Sequence, residues 1–335
     1  MELVPRPRID PALFGRIGLG TWGLGGVYYG EVSDSQGEAT VRAYLDGGGR
    51  HIDTAYSYHK SELVIGQAIR DYPRESFFLS SKTYAGSFGL GDLPKIREHV
   101  EISLRDLGTD YLDCYLIHGT PRDPEHLDRL IDAFAELREA GKIRSIGASI
   151  KGPGIDDTSL DTAMAAAQNG GLDLIQLSFS VARQKHAAAI ETARRNGVVV
   201  IARWILESGM LTGKYPPGTE FAWPDTRNRY QASERDGILQ IGQDLKALLP
   251  EGYSTPRELA VGFALAQPGV SGIILGANSP EHARSNLALE QLLPLPRELV
   301  TEIQRRYGPL NDAFNPTGAF EHVDSLREPL VEPRS

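Results

Sequence analysis

Four polar residues interrupt otherwise apolar or loop-like stretches: Asp53 and Tyr58 in "HIDTAYSYHK", Lys82 at the end of "FFLSSK", and His118 at the end of "YLDCYLIH". Singly, each has an ordinary explanation as a turn cap, a loop tyrosine, a solvated strand end or a satisfied core histidine. Together they make a proton-donating set. A tyrosine hydroxyl, with an ordinary pKa of about 10, is a poor donor at neutral pH. An adjacent ammonium favours the phenolate and lowers that pKa, and a carboxylate paired with the lysine keeps it charged and in place. A neutral histidine alongside donates a hydrogen bond to a carbonyl oxygen as negative charge develops there. Such a set suits reduction of a carbonyl with a hydride from a nicotinamide.

For the four to meet, the segments that carry them must end on one side of a common scaffold. Eight short apolar runs end at Gly20, Asp53, Lys82, His118, Ser149, Leu177, Arg203 and Leu275, spaced 33, 29, 36, 31, 28, 26 and 72 residues apart. Each spacing but the last is near one strand-loop-helix unit, so the long gap predicts an insertion after strand seven. Amphipathic stretches such as "EHVEISLRDLG" and "HLDRLIDAFAELREAGK" lie between the runs, with Gly108 and Gly141 as stops. Apolar strands alternating with such helices predict a parallel sheet covered by helices, and eight units predict a closed (β/α)8 TIM barrel. No linker divides the chain, so we expect one domain over 1–335, with a core over about 15–306 and a tail over 307–335 that reads as extended from its prolines. Active sites of such barrels lie at the C-terminal strand ends, which is where Asp53, Lys82 and His118 fall.

"GLGTWG", Gly18 to Gly23, fits the G-x-G-x-x-G pattern of dinucleotide-binding folds. The helix that pattern needs does not follow, since the next one begins near Ser35, so the glycines read as a tight, flexible first loop at the barrel mouth. A net charge of −9 without a basic block excludes a nucleic-acid backbone as partner and favours a small ligand. The single cysteine, Cys114, in "YLDCYLIH", reads as a strand-core residue rather than a nucleophile. "MELVPRPRID" lacks the apolar core of a signal peptide, and no run approaches the ~18 apolar residues of a membrane span, so a cytoplasmic protein is expected.

From "GLGTW" to "SNLALE" the chain resembles the aldo-keto reductase family, whose tetrad matches Asp53, Tyr58, Lys82 and His118 in type, order and spacing. The resemblance implies that Tyr58 is the general acid, that Lys82 and Asp53 tune it, and that His118 orients the substrate. It implies a nicotinamide cofactor held by Thr21, Trp22 and Asp53, with Ser149 and Gln176 on the carboxamide. The Ser-Asn pair usual there is here Ser149-Ile150, and Arg203 stands where an aromatic ring commonly faces the nicotinamide. A planar guanidinium also stacks on a ring. Leu206, Ser208, Leu211 and Lys214 resemble the loop that closes over the pyrophosphate, and Arg227 adds a second positive charge.

Ser279 is the expected N-cap and Pro280 the first residue of a helix whose N-terminus suits an anion. Gly276, Ala277, Asn278, His282 and Asn286 match the family's adenosine-phosphate segment. Relatives that prefer NADPH usually carry Lys or Arg there, whereas this chain has Asn278 and His282 with Arg284 nearby. NADP is the family default, and NAD stays open. Trp22, Tyr28, Tyr29, Tyr84 and Trp223 are the expected substrate-facing aromatics of a small carbonyl compound, whose identity the sequence leaves open along with the oligomeric state. His59 and Lys60 replace a glycine-rich turn common in relatives and read as exposed. Two other classes compete: a cofactor-binding regulatory protein with little turnover, and a metal-dependent barrel hydrolase using His51, Asp53, Lys82 and His118.

Overall fold

Eight parallel strands close into a ring in the computed structural model, which describes residues 9–25, 32–84, 93–151, 159–222 and 225–310. They are β1 (Ile17–Gly20), β2 (His51–Asp53), β3 (Phe78–Thr83), β4 (Leu112–His118), β5 (Ile143–Ser149), β6 (Leu174–Ser178), β7 (Val199–Arg203) and β8 (Val270–Gly276). Each pairs with the next, and β8 returns to pair with β1. The seam is latched by Glu290, whose Oε1 accepts the backbone N–H groups of Arg16 at 3.1 Å and Ile17 at 3.0 Å.

Helices α1 (Asp34–Asp46), α2 (Ser61–Ile69), α3 (Leu93–Leu107), α4 (Pro124–Glu139), α5 (Ser159–Gln168) and α6 (Ala187–Arg195) follow the first six strands in turn. Their sequences explain them. In α4, Asp123 caps the N-terminus, Pro124 takes the first position, and Leu127, Leu130, Ile131, Phe134 and Leu137 form one buried face. Burying each of these large side chains stabilises the fold by roughly 1.5–3 kcal/mol. The insertion expected after β7 is a long connection with the extra helix α7 (Ala232–Asp244), before α8 (Pro256–Ala266) leads into β8. Thr255 and Glu258 close a capping box at the start of α8.

Beyond β8 come α9 (Pro280–Ala288) and α10 (Arg297–Tyr307). Here the expectation of an extended tail from Tyr307 is corrected: Tyr307 ends α10, and Gly308–Leu310 form a 3-10 turn. Ile303 and Tyr307, one helical turn apart, bury against the barrel and hold the helix there. The remainder of that tail lies outside the described residues.

The glycines of "GLGTWG" also differ from expectation. Gly18 and Gly20 belong to β1, where a methyl group would come within 2.6 Å of the Ile274 side chain, so they are small for packing rather than for flexibility. Trp22–Gly25 form a 3-10 turn. The barrel interior is filled from below by Phe14, Phe78, Cys114, Leu116, Leu174, Val199 and Ile201. Burial pushes the Cys114 thiol well up from its ordinary pKa, as a core thiol requires. Among the described residues no helix is long and apolar enough to cross a membrane.

Candidate active site

The register aligns strand ends around one mouth: Gly20 lies opposite both Asp53 and Gly276, His118 opposite Ser149, Ser149 opposite Gln176, and Ser178 opposite Arg203. Lys82 and Asp53, both almost wholly buried, form an ion pair at 2.7 Å. The ammonium also donates to the Thr54 carbonyl oxygen at 2.6 Å. Asp53 Oδ1 accepts from Gln176 Nε2 at 2.6 Å and from Ser80 Oγ at 3.0 Å, so the carboxylate is satisfied on both oxygens. Burial pulls the Lys82 ammonium below its ordinary pKa, and the Asp53 charge opposes that shift.

Tyr58 sits in the turn between β2 and α2, and the Lys82 ammonium lies 5.1 Å from the centre of its ring. The His118 ring meets the Tyr58 ring edge-on at 5.9 Å, and Tyr84 stacks on His118 at 4.4 Å with the rings 6° from parallel. The turn is held from three sides. Ser61 donates its backbone N–H to the Tyr58 carbonyl at 2.9 Å, and a methyl group on Gly25 would approach that same carbonyl to 2.7 Å. Lys60, read as exposed, is instead half-buried, bonded to Asp34 at 2.5 Å and to the Val32 carbonyl at 2.9 Å. It ties the turn to the start of α1, while His59 is exposed with φ of 50°. A left-handed histidine costs roughly 1–2 kcal/mol relative to glycine. Thr21 fixes the adjoining loop, its N–H and hydroxyl both donating to the Asp53 carbonyl at 3.1 and 2.9 Å, and Trp22 starts the 3-10 turn beyond it.

On the far side of the mouth, Ser149 and Gln176 are buried at the ends of β5 and within β6. Since Gln176 Nε2 serves the Asp53 carboxylate, its Oε1 is the remaining atom, and it is a buried acceptor with no donor in reach among the described residues. Arg203 ends β7, donating from Nη2 to the Ile150 carbonyl at 2.5 Å and lying 5.5 Å from the Trp204 ring.

The connection after β7 carries Leu206, Ser208, Leu211 and Lys214 along an unusual backbone. Trp204, Glu207 and Ser208 are left-handed, with φ of 62°, 46° and 56°. Glu207 anchors this loop, accepting from Arg183 Nε at 2.9 Å and from Ser180 Oγ at 2.8 Å. Leu211 is buried and donates its N–H to the Leu206 carbonyl, so it is built into the loop's own packing, whereas Lys214 is exposed. Arg227 forms a two-point pair with Asp225, at 2.8 and 2.6 Å, with its guanidinium 3.7 Å from the Phe221 ring centre.

After β8, Ser279 caps α9 and Pro280 is its first residue, as expected. Asn286 donates to the Gly276 carbonyl at 3.1 Å, and Asn278 Oδ1 pairs with His282 Nδ1 at 2.7 Å. Arg257 of α8, unnoticed in the sequence, reaches this segment and donates to Asn286 Oδ1 at 2.5 Å and Ser285 Oγ at 2.7 Å. Nothing local in "STPRELA" signals that contact, because only the fold brings positions 257 and 286 together.

The profile of the Aldo/keto reductase family matches residues 16–307. This chain belongs to the aldo-keto reductase family. It is 33% identical over 278 residues to the aldo-keto reductase YhdN of Bacillus subtilis, covering 79% of this chain and 82% of that protein. It is 30% identical over 314 residues to the NADH-specific methylglyoxal reductase of Escherichia coli, covering 86% and 93%. Among solved structures, a glycerol dehydrogenase from Gluconobacter oxydans is similar with a TM-score of 0.73 at 27% identity, covering 91% of this chain and 96% of that one.

Three residues proposed for the substrate side of this aldo-keto reductase, Tyr28, Tyr29 and Trp223, lie outside the described residues. Its His51 is not available to a metal: the ring packs edge-on to Phe78 at 5.2 Å and beside Phe14, and Nε2 bonds Ser80 Oγ at 3.0 Å. Among the described residues no group of three or more His, Cys, Asp or Glu side chains is arranged to hold a metal ion.

One buried group behind the site has a consequence for stability. Glu62 of α2 accepts from Ser81 Oγ at 2.5 Å and Ser103 Oγ at 3.1 Å, and burial pushes its pKa up to about 7 from 4.5. A carboxyl raised on folding contributes stability that is fully present below pH 4.5 and lost as pH rises through 7. We therefore expect Glu62→Gln to match the parent near pH 4.5 but to exceed it by about 1–3 kcal/mol at pH 8 in urea unfolding. Parallel pH profiles for the two proteins would contradict this assignment.

Proposed function

We propose that this aldo-keto reductase reduces a small carbonyl compound with a reduced nicotinamide dinucleotide, and that Tyr58 is the general acid. The observation that carries the reading is the Lys82 ammonium, clamped by Asp53 and the Thr54 carbonyl and lying 5.1 Å from the Tyr58 ring. A fixed cation there stabilises the phenolate left when the hydroxyl gives up its proton. His118, against the edge of Tyr58, is the group to orient the carbonyl oxygen, and Tyr84, stacked on His118, narrows the substrate side.

The residues fit the cofactor. Gln176 Oε1 is a buried acceptor that lacks a donor, which a carboxamide NH2 supplies, with Ser149 beside it. We assign Thr21, Trp22 and Arg203 to the nicotinamide end, and Leu206, Ser208, Leu211, Lys214 and Arg227 to the pyrophosphate side. Gly276, Asn278, His282 and Asn286 are assigned to the adenosine end. When bound, the reduced nicotinamide supplies a hydride to the carbonyl carbon. The chain's own part is to hold the carbonyl in place and deliver one proton from the Tyr58 hydroxyl to its oxygen. A cytoplasmic setting suits a protein that draws on reduced nicotinamide.

The E. coli relative is named as NADH-specific. In this chain Arg257 is already bonded to Ser285 and Asn286, and Asn278 and His282 pair with each other. We expect NADH and NADPH to bind with affinities within about tenfold of one another, and short aldehydes to oxidise both. Calorimetric titration with each cofactor, followed by an aldehyde and alcohol panel, tests this. Absence of turnover with every carbonyl despite tight binding would overturn the enzymatic reading.

A further inference from the structure

We propose that Arg203 makes the site discriminate between the two redox states of the nicotinamide, binding the neutral reduced ring in preference to the cationic oxidised ring. The inference deepens the cofactor reading above and rests on it. It begins with the charges around the mouth. Asp53 and Lys82 neutralise one another at 2.7 Å. Arg203 has no carboxylate of its own: among the described residues it donates to the Ile150 carbonyl and lies by the Trp204 ring, and it shares the fields of Asp53 and Glu207, which are already paired with Lys82 and Arg183. The nearest carboxylate in sequence, Glu207, is hydrogen-bonded to Arg183 and Ser180 and acts on Arg203 through its field. Among the described residues Arg203 Nε is buried with no acceptor. A guanidinium does not give up its proton in a protein, so the three cations Lys82, Arg183 and Arg203 stand against the two carboxylates Asp53 and Glu207, an excess of one positive charge.

The strand register says what that charge faces. Ser149 and Gln176 are paired positions on β5 and β6, and Arg203 pairs with Ser178 on the next strand while its own Nη2 reaches back to Ile150 on the far side of Ser149. A flat amide-bearing ring held by Ser149 and the open Gln176 Oε1 is therefore bordered by the guanidinium. An aromatic side chain at position 203 would offer the same flat surface with no charge. What the arginine adds is repulsion of a cationic ring, and like charges a few ångström apart in a partly water-excluded site repel by well above thermal energy. The reduced ring, being neutral, escapes that penalty. Lys82 lends a smaller bias, because Asp53 is bonded directly to it at 2.7 Å. The protein is thus biased toward the reduced cofactor before any carbonyl arrives.

The test compares dissociation constants for oxidised and reduced cofactor, measured by calorimetry at fixed low ionic strength, in the parent, in Arg203→Gln and in Arg203→Lys. The parent is expected to bind the reduced form at least about tenfold more tightly. Arg203→Gln should narrow that ratio by about tenfold, chiefly because the oxidised form binds better, whereas Arg203→Lys, which keeps the charge but loses the plane, should retain most of the bias. An unchanged ratio in Arg203→Gln, or equal weakening of both forms, overturns the proposal while leaving the cofactor site standing. Failure of the parent to bind either form overturns the cofactor reading itself, and this inference with it.

Discussion

Tyr58→Phe is expected to lower kcat for carbonyl reduction by about a thousandfold while leaving cofactor affinity within about twofold. The substitution removes one oxygen and retains the ring that meets His118 at 5.9 Å and Lys82 at 5.1 Å, so the packing of the mouth survives. What disappears is the hydroxyl of the phenol whose ring lies 5.1 Å from the Lys82 ammonium. Tyr84 is the other phenol nearby, but it lies flat on His118. Tyr84→Phe therefore serves as the matching comparison, and a Tyr84→Phe loss as large as that of Tyr58→Phe would count against a unique role for Tyr58. Single-turnover rates with an aldehyde, together with calorimetric titration of the cofactor, separate chemistry from binding. A Tyr58→Phe enzyme with the parent's rate would end the general-acid assignment.

Glu207→Gln is expected to destabilise the fold by about 3–5 kcal/mol, because it leaves Arg183 as a buried charge without its counterion. Arg183 is 4% exposed and Glu207 1%, so water does not take over the lost role. The Arg183 guanidinium also reaches Tyr230 Oη at 3.3 Å, a neutral partner that does not replace a carboxylate. The loss is concentrated where backbone strain is already stored, in the left-handed run at Trp204, Glu207 and Ser208. Cofactor affinity should therefore fall along with stability, since this loop carries Leu206, Ser208 and Lys214. The double replacement Arg183→Met with Glu207→Met should recover a large part of the stability, as buried pairs exchanged for apolar side chains often do. Urea unfolding of the three proteins decides the matter, and a loss below about 1 kcal/mol in Glu207→Gln would show that the pair is not an anchor.

Much of the scaffold was legible because strands covered on both faces by helices and neighbouring side chains must be almost wholly apolar. Asp53, Lys82 and His118 stood out against that background, and the observed strands end at or within one residue of them. Capping chemistry was equally readable at Ser279 and Pro280, since it depends on neighbours in sequence. The unread features are those that only the closed fold creates. Arg257 meets Asn286, Arg183 meets Glu207 and Lys60 meets Asp34 across long stretches of chain, and no local pattern encodes such pairs. Gly18 and Gly20 were misread as flexible because a glycine chosen for close packing looks the same in sequence as one chosen for a turn. The left-handed backbone at His59 was not read either, although histidine is among the non-glycine residues that adopt it more often than most.

The pairing of β1 with β8, latched by Glu290, sets a condition on synthesis. Gly20 finds its partner Gly276 only after the intervening chain has emerged from the ribosome, which at about 5–20 residues per second takes tens of seconds. Throughout that interval the nascent sheet is an open sheet whose first strand presents an unpaired edge, the feature most prone to recruit other chains. Covering that edge until β8 arrives is therefore a demand that the closed topology places on synthesis.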